Sequence, residues 1–162
     1  NIIRKLKSQG ISKQGSYDHD MIGYNYRMTN ICAAIGCAQL HDVNKIIKKK
    51  QQIFSQYYEK LKTKVSFPQL APLNENAYWL VSIILETSTQ RNALMGYLRE
   101  KGVETRPFFT PAHLLPMYSD IANNLPNTME IYDRGMSLPS YPDLTFDEVN
   151  WICDLVCAVI NK

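Results

Sequence analysis

The sequence lacks the motifs that mark several large classes of protein. Its 162 residues include only four cysteines and three histidines, with no CxxC pair and no metal-ligand spacing. It contains neither a GxxxxGK[ST] phosphate loop nor a GxGxxG loop. No apolar run approaches the roughly 20 residues that span a bilayer, and the first residues do not have the pattern of a secretory leader. These absences argue against a disulfide-rich, metal-binding, P-loop or membrane protein, and we expect a cytoplasmic one.

The charge balance argues against nucleic acid as a partner. Lys and Arg number 18 against 15 Asp and Glu, so the net charge is +3, well below the strongly basic balance of proteins that bind a phosphate backbone. Four lysines fall within residues 45–50, and this run is interpreted as a solvated helix face. The cysteines lie in apolar helical patterns and are interpreted as reduced core residues: Cys32, Cys37, Cys153 and Cys157.

The hydrophobic pattern predicts a small α/β domain of the α+β kind. Hydrophobic residues make up 45% of the chain, enough for one packed core. Strands are predicted over residues 78–85, from Val103 onward and over residues 136–138, with helices before, between and after them. Thr145 and Glu148 have the spacing of a capping box at the start of the last helix. We expect a three-stranded sheet covered by helices.

The chain is expected to be part of a longer protein, because it begins with Asn1 in a helix-like pattern. Apolar residues at helical spacing predict one long helix over residues 29–62, long enough to link two bodies of structure. Residues 1–28 are then a leading segment with an interface loop, and residues 63–162 are the small domain.

Two segments carry more polar and aromatic chemistry than packing requires. Residues 23–30, GYNYRMTN, stand at the entrance to the long helix, where exposed N–H groups favour an anion. Residues 105–113, TRPFFTPAH, contain Arg106, whose guanidinium can bind phosphate through two hydrogen bonds. A simple capped loop and a proline-stiffened connection remain the alternatives for these two segments.

The stretch GYNYRMTNICAAIGCAQL, residues 23–40, resembles the DegT/DnrJ/EryC1/StrS aminotransferases. The resemblance continues through NAYWLVSIIL, GVETRPFFTPAHLLPMY and MSLPSYPDLT, and so covers almost the whole chain. Within the family, these stretches of sequence are most similar to those of GDP-perosamine synthases, which use GDP-4-keto-6-deoxymannose and glutamate. The resemblance implies a pyridoxal 5'-phosphate (PLP) enzyme of O-antigen lipopolysaccharide biosynthesis.

The resemblance also implies a fold and a set of site residues. The fold is the small C-terminal domain of the aspartate aminotransferase type (PLP-dependent transferase fold type I), in a homodimer with active sites at the subunit interface. The amide of Asn25 is expected to reach the cofactor phosphate of the other subunit. The residues expected near the nucleotide-sugar entrance are Tyr24, Arg27, Arg106, Phe108 or Phe109, and His113.

The family's Schiff-base lysine precedes the matched segment, so no catalytic residue is expected in this chain and the fragment alone is not expected to be catalytic. PLP would be held mainly by a missing large domain, and no metal is expected. The alternative is a non-catalytic binding or assembly module with the same fold. A regulator with an aminotransferase-like domain would need a DNA-binding segment that the chain does not show.

Overall fold

The computed structural model describes residues 2–12, 17–69, 75–118 and 125–160, in two compact units, Asn1–Val43 and Asn44–Lys162. The described helices are α1 Ile2–Leu6, α2 Asn30–His41, α3 Val43–Leu61, α4 Ser88–Glu100, α5 Pro126–Arg134 and α6 Phe146–Ile160. The described strands are β1 Val81–Ile84, β2 Arg106–Pro107 and β3 Gly135–Leu138. Among these helices, none is long and apolar enough to cross a membrane.

The structure divides the predicted helix over residues 29–62 at Asp42. Here φ is −100° and ψ is 4°, and the Asp42 N–H donates to the Gln39 carbonyl at 3.3 Å instead of continuing the helical ladder. Aspartate favours such a turn because it is a weak helix former in helix interiors. Thr29 caps α2, since its hydroxyl accepts a hydrogen bond from the Cys32 N–H at 3.2 Å. The linking role and the three-part domain division remain predictions.

The first unit is held together mainly by backbone hydrogen bonds. The N–H of Gln9 donates to the Tyr24 carbonyl and the N–H of Tyr26 donates to the Lys7 carbonyl, both at 3.0 Å. These bonds pair the chain after α1 with the extended segment that leads to α2. No residue of α2 is buried, and Cys32 and Cys37 are exposed. The interpretation of these two cysteines as core residues is therefore wrong.

The second unit contains the hydrophobic core. Its three-stranded antiparallel sheet has the order β1-β3-β2, which confirms the predicted small sheet. Alternate strand residues face the helices, because side chains on a strand alternate between its two faces. Those on the core face of the two longer strands are at most 2% exposed: Val81, Ile83, Met136 and Leu138. Buried residues of α3, α4 and α6 complete the core: Ile53, Tyr57, Leu61, Leu94, Leu98, Val149, Ile152, Cys153 and Val156.

Local hydrogen bonds define two ends of helices in this unit. The capping box is confirmed: the Glu148 carboxylate accepts from the Thr145 N–H at 2.8 Å, and the Thr145 hydroxyl accepts from the Glu148 N–H at 3.2 Å. At the end of α4, Gly102 has a φ of +78°, as expected for a left-handed C-terminal cap. These two signals are local, so the sequence could predict them.

Candidate functional site

The open face of the sheet carries a polar row across all three strands. Ser82 lies directly opposite Ser137, and Ser137 lies directly opposite Arg106. Residues paired in this way present their side chains on the same face of a sheet. The row is therefore on the face opposite Val81 and Ile83, and it gives Ser82, Ser137 and Arg106 adjacent positions on that face.

A pocket of about 320 Å³ lies over this row. Such a volume is at the lower end of the range for small-molecule sites, about 300 to 1,000 Å³. Aromatic rings and polar groups both contribute to its lining: Trp79, Leu80, Ser82, Arg106, Pro107, Phe108, Phe109 and Ser137. The pocket can hold a ligand that has a flat ring and an anionic group.

Arg106 supplies the positive charge of the pocket. Its side chain is 72% exposed, and its ion-pair partner Glu104 lies 3.6 Å away, with 82% of that side chain exposed. Ion pairs between such exposed groups contribute little to stability, because water screens them. The guanidinium is therefore free to leave Glu104 and bind a phosphate through two parallel hydrogen bonds.

The two adjacent phenylalanines have different surroundings. Phe108 is half-buried, and its ring packs so closely on Gly135 that a Cβ there would lie 2.2 Å from the ring. Phe109 is 76% exposed, and its ring lies nearly parallel to that of Trp79, with a centroid separation of 6.3 Å and an angle of 11°. Phe108 therefore anchors the loop, while Phe109 and Trp79 present their rings to solvent.

The structure brings Arg106 and Phe108 into one pocket, but His113 is not among the residues that line it. His113 is half-buried in a short 3₁₀ turn, Ala112–Leu114, which ends at an extended residue, Leu115. A second 3₁₀ turn follows over Pro116–Tyr118. A role for His113 at the nucleotide-sugar entrance remains a prediction.

The other predicted site residues belong to the first unit. Asn25 pairs with Ser8 through an isolated β-bridge, and the rings of Tyr24 and Tyr26 stack with centroids 5.2 Å apart. Since Tyr24 and Tyr26 are two residues apart on extended backbone, Asn25 lies on the opposite face from their rings. Asn25 and Arg27 are exposed, so both can contact a group outside the described residues.

One lysine contradicts the interpretation of residues 45–50 as a solvated face. Lys50 is only 9% exposed, and its ammonium donates to the Trp79 carbonyl at 2.8 Å, to the Ser140 hydroxyl at 3.0 Å and to the Ser140 carbonyl. Burial lowers the pKa of this amine. The helical spacing of Lys50 with Ile53 and Tyr57 is a signal that could have placed it on the buried face.

Trp79 is the pocket residue that the sequence did not single out. It was included in the predicted strand over residues 78–85, whereas β1 begins at Val81. The indole is 70% exposed beside the start of that strand. Nothing in the local pattern distinguishes an exposed tryptophan before a strand from a buried one within it, so sequence alone could not find this residue.

Comparison with known proteins identifies the family of this chain. A model of the DegT/DnrJ/EryC1/StrS aminotransferase family matches residues 1–157. The chain belongs to this family. It is 44% identical to the GDP-perosamine synthase of Vibrio cholerae over 97% of the chain. It is 41% identical to the GDP-perosamine synthase of Escherichia coli O157:H7 over 93% of the chain.

The fold agrees with that of solved members of the family. The crystal structure of a DegT DnrJ EryC1 StrS aminotransferase from Brucella abortus matches 99% of the chain with a TM-score of 0.86 and 26% identity. The predicted fold is therefore confirmed. The chain covers 42% and 44% of the two GDP-perosamine synthases and 43% of the Brucella abortus protein, so it spans less than half the length of these relatives.

Proposed function

We propose that this chain is the C-terminal part of a PLP-dependent nucleotide-sugar aminotransferase. The whole protein would transfer an amino group from glutamate to GDP-4-keto-6-deoxymannose, in the cytoplasm, for an O-antigen sugar. The observation that carries this proposal is the pocket in which the exposed guanidinium of Arg106 lies beside aromatic rings. A nucleotide sugar offers the two matching groups, a diphosphate and a base. The 41–44% identity to GDP-perosamine synthases supports GDP as the nucleotide.

The pocket residues have separate tasks in this proposal. Arg106 binds the diphosphate through charge-assisted hydrogen bonds, which are stronger than those between neutral groups. Ser82, which is half-buried, offers its hydroxyl group to the sugar or phosphate oxygens, and Ser137 beside it is only 5% exposed. Phe108 holds the loop against Gly135, so that Arg106 keeps its place at the edge of the sheet. The row thus orients the substrate, and the amino transfer itself uses groups outside this chain.

The residues of this chain would form only a small part of a PLP site. PLP, when bound, would carry the amino group from the donor to the acceptor and would act as an electron sink during the transfer. Asn25 has an exposed amide on a hydrogen-bonded segment and suits the cofactor phosphate. Lys50 is the buried lysine among the described residues, but its three N–H groups already have three oxygen acceptors. We therefore assign the amine that binds PLP to a part of the whole protein that this chain does not contain.

A homodimer is part of the proposal, with Asn25 reaching the cofactor of the partner subunit. Helix α2 supports it, because the helix is apolar on all sides and none of its residues is buried. Ile31, Ile35 and Leu40 are each at least 60% exposed. A helix that is apolar all round is normally buried. In the whole protein we expect the rest of the subunit or its partner to cover α2.

The test uses the whole protein, purified with PLP, with its intact mass measured first. Glutamate is expected to bleach the visible absorbance of the bound cofactor, and the keto sugar nucleotide is expected to restore it. Arg106→Ala is expected to raise the KM for the nucleotide sugar roughly 10- to 100-fold, because it removes hydrogen bonds to a charged group. The glutamate half-reaction should be unchanged. Glu104→Gln is the matched control, since it removes a neighbouring charge and leaves the guanidinium.

Two outcomes would contradict the proposal in different ways. An unchanged KM in Arg106→Ala would place the nucleotide elsewhere and would leave the aminotransferase activity standing. Absence of any reaction with glutamate in the PLP-loaded whole protein would favour the alternative, a non-catalytic binding module.

Asn25→Ala is expected to weaken PLP retention, and equilibrium dialysis of the variant measures this loss.

A further inference from the structure

The short segment before β1 adopts a backbone conformation that needs support from its surroundings. Tyr78 has a φ of +47°, which is an outlier for a bulky residue. The Asn76 side chain accepts the Tyr78 N–H at 2.7 Å, and the Tyr78 ring stacks on Phe54 with centroids 3.8 Å apart. Strained backbone of this kind persists only where several contacts determine it, and it clusters at functional sites.

Lys50 holds the next residue of the same segment. Its ammonium donates to the Trp79 carbonyl, to the Ser140 carbonyl and to the Ser140 hydroxyl, and that hydroxyl also lies 3.2 Å from the Trp79 carbonyl. The amine thus joins three separate parts of the second unit: α3, the segment before β1 and the loop after β3. All three acceptors are neutral oxygens, although burying a cation is costly. Packing alone therefore does not explain why the Lys50 ammonium is buried.

The bonds from Lys50 to the oxygens of Trp79 and Ser140 form a clamp on the backbone of Trp79, and the ring of this same residue lines the pocket. The backbone of Trp79 is tied inward by Lys50, while its indole is 70% exposed and lines the pocket. The indole lies nearly parallel to the Phe109 ring, which is 76% exposed. Two large rings that remain exposed and nearly parallel form a platform on which another flat ring can stack. Arg106 at the same pocket provides the charge for an attached diphosphate.

We propose that Trp79, with Phe109, stacks on the base of the nucleotide, and that Lys50 is a positioning residue that holds Trp79 in place for this contact. This proposal rests on the proposed function and deepens it, because it assigns the base and the diphosphate to different residues of one pocket. Base stacking on an aromatic ring contributes enough affinity for its loss to be measured.

The first experiment measures the affinity of the PLP-loaded whole protein for GDP by titration calorimetry. Trp79→Ala is expected to weaken GDP binding roughly tenfold, and Trp79→Phe is expected to retain most of the affinity, since a smaller ring still stacks. Trp151→Phe is the matched control, because Trp151 lies on α6 and is not among the residues that line the pocket. Its affinity for GDP should equal that of the wild type.

Pyrophosphate, which has no base, separates the two halves of the pocket. Trp79→Ala should bind pyrophosphate as the wild type does, and Arg106→Ala should bind it more weakly. Lys50→Met keeps the length of the side chain and removes the ammonium. It should behave as Trp79→Ala does, with weaker GDP binding and unchanged pyrophosphate binding. Equal weakening of both probes would mean that Lys50 is merely structural and would overturn its positioning role.

Ser140→Ala tests the clamp where Lys50→Met fails to fold. It removes one acceptor of the ammonium and leaves the bond from Lys50 to the Trp79 carbonyl. A smaller loss of GDP affinity, again without loss of pyrophosphate affinity, is expected. A Ser140→Ala variant with wild-type affinity for GDP would contradict the clamp.

The outcomes distinguish this proposal from the proposed function. Wild-type affinity for GDP in Trp79→Ala, together with a loss in Arg106→Ala, would overturn the stacking role and leave the nucleotide site standing. No binding of GDP to the wild type would overturn the nucleotide site and the stacking role together.

Discussion

Helices α2 and α3 follow one another in the chain with only Asp42 between them, yet they differ in how they are stabilised. α3 buries Lys50, Ile53, Tyr57 and Leu61 at helical spacing, whereas α2 buries nothing. The apolar residues of α3 form one stripe, and those of α2 surround the helix. A core on one side of a helix can bury an apolar stripe, but a helix that is apolar all round needs contacts on several sides to bury its surface.

This contrast shows that a helical pattern alone does not say what stabilises a helix. Short helices are marginal in water, and most of their stability comes from packing. α3 has its packing partners within the second unit. For α2, the described residues contain no buried contact face, so its stability should depend on what covers it in the whole protein.

The largest effect is expected from truncating the buried face of α3. Leu61→Ala should lower the free energy of unfolding by about 2 to 5 kcal/mol, because Leu61 is fully buried and its loss leaves a cavity. Ile35→Ala on α2, where the side chain is 60% exposed, should change it by less than about 0.5 kcal/mol. Urea unfolding of the 162-residue chain, followed by circular dichroism, measures both.

A large decrease in the free energy of unfolding of this chain by Ile35→Ala would contradict the contrast between α2 and α3. It would mean that α2 is covered in solution, and a dependence of the unfolding midpoint on protein concentration would identify a second copy as the cover. In the whole protein, by contrast, a cost above about 1 kcal/mol for Ile35→Ala is expected if α2 is covered there.

Cysteine reactivity gives the next largest difference between the two regions. Cys32 and Cys37 on α2 are exposed, whereas burial raises the pKa of the Cys153 thiol on α6 to about 12. Only the thiolate reacts, so Cys153 should be alkylated at least about 100-fold more slowly. Timed alkylation with iodoacetamide and mass spectrometry measures the rates. Urea-unfolded chain is the control and should show similar rates at all sites, while slow labelling of Cys32 in the folded chain would contradict the exposure of α2.

A smaller effect is expected at an unsatisfied hydroxyl in the core beside α3. Tyr57 is fully buried, and its hydroxyl has no hydrogen-bond partner within the described part of the chain. Burial also raises the pKa of this hydroxyl. Tyr57→Phe should therefore increase the free energy of unfolding by about 1 kcal/mol, because it removes an unpaired buried polar group. Tyr58→Phe is the matched control at an exposed position; destabilisation by Tyr57→Phe alone would reveal a partner for the hydroxyl.

The smallest effect concerns pH and the helix caps. Hydrogen bonds from the Thr145 backbone and side chain lower the pKa of Glu148 below its ordinary value of 4.5. The stabilisation is therefore present above that value and is lost as the pH falls through the lowered pKa. Glu148→Gln should lower the thermal midpoint slightly at neutral pH and not in acid. Thr29→Ala on α2 removes a cap without a carboxylate, and its effect on the midpoint should be the same at both pH values.

Much of the second unit could be predicted from local signals. The capping box of Thr145 and Glu148 and the cap at Gly102 depend on residues close in sequence, so the pattern was sufficient. The candidate pocket was predicted only in part. Arg106 was found because its type suits phosphate, while Trp79 was missed because the contacts of its backbone, such as the hydrogen bond from Lys50 29 residues away, leave no mark in the local pattern.

The same limit explains the errors for Lys50 and for the cysteines of α2. A run of lysines usually faces water, and only the oxygens of Trp79 and Ser140 make burial of one of them tolerable. Cysteines in apolar helices are usually buried, but Cys32 and Cys37 lie on a helix with no buried residue.

The sequence by itself determined the family, the order of most elements and the caps, because these depend on residue type and short spacing. The tertiary structure alone decided the polar row of Ser82, Ser137 and Arg106, the burial of Lys50 and the exposure of the Trp79 ring. Strand register and the pairing of a buried cation arise from contacts between distant segments, and a pattern of neighbouring residues contains no record of those contacts.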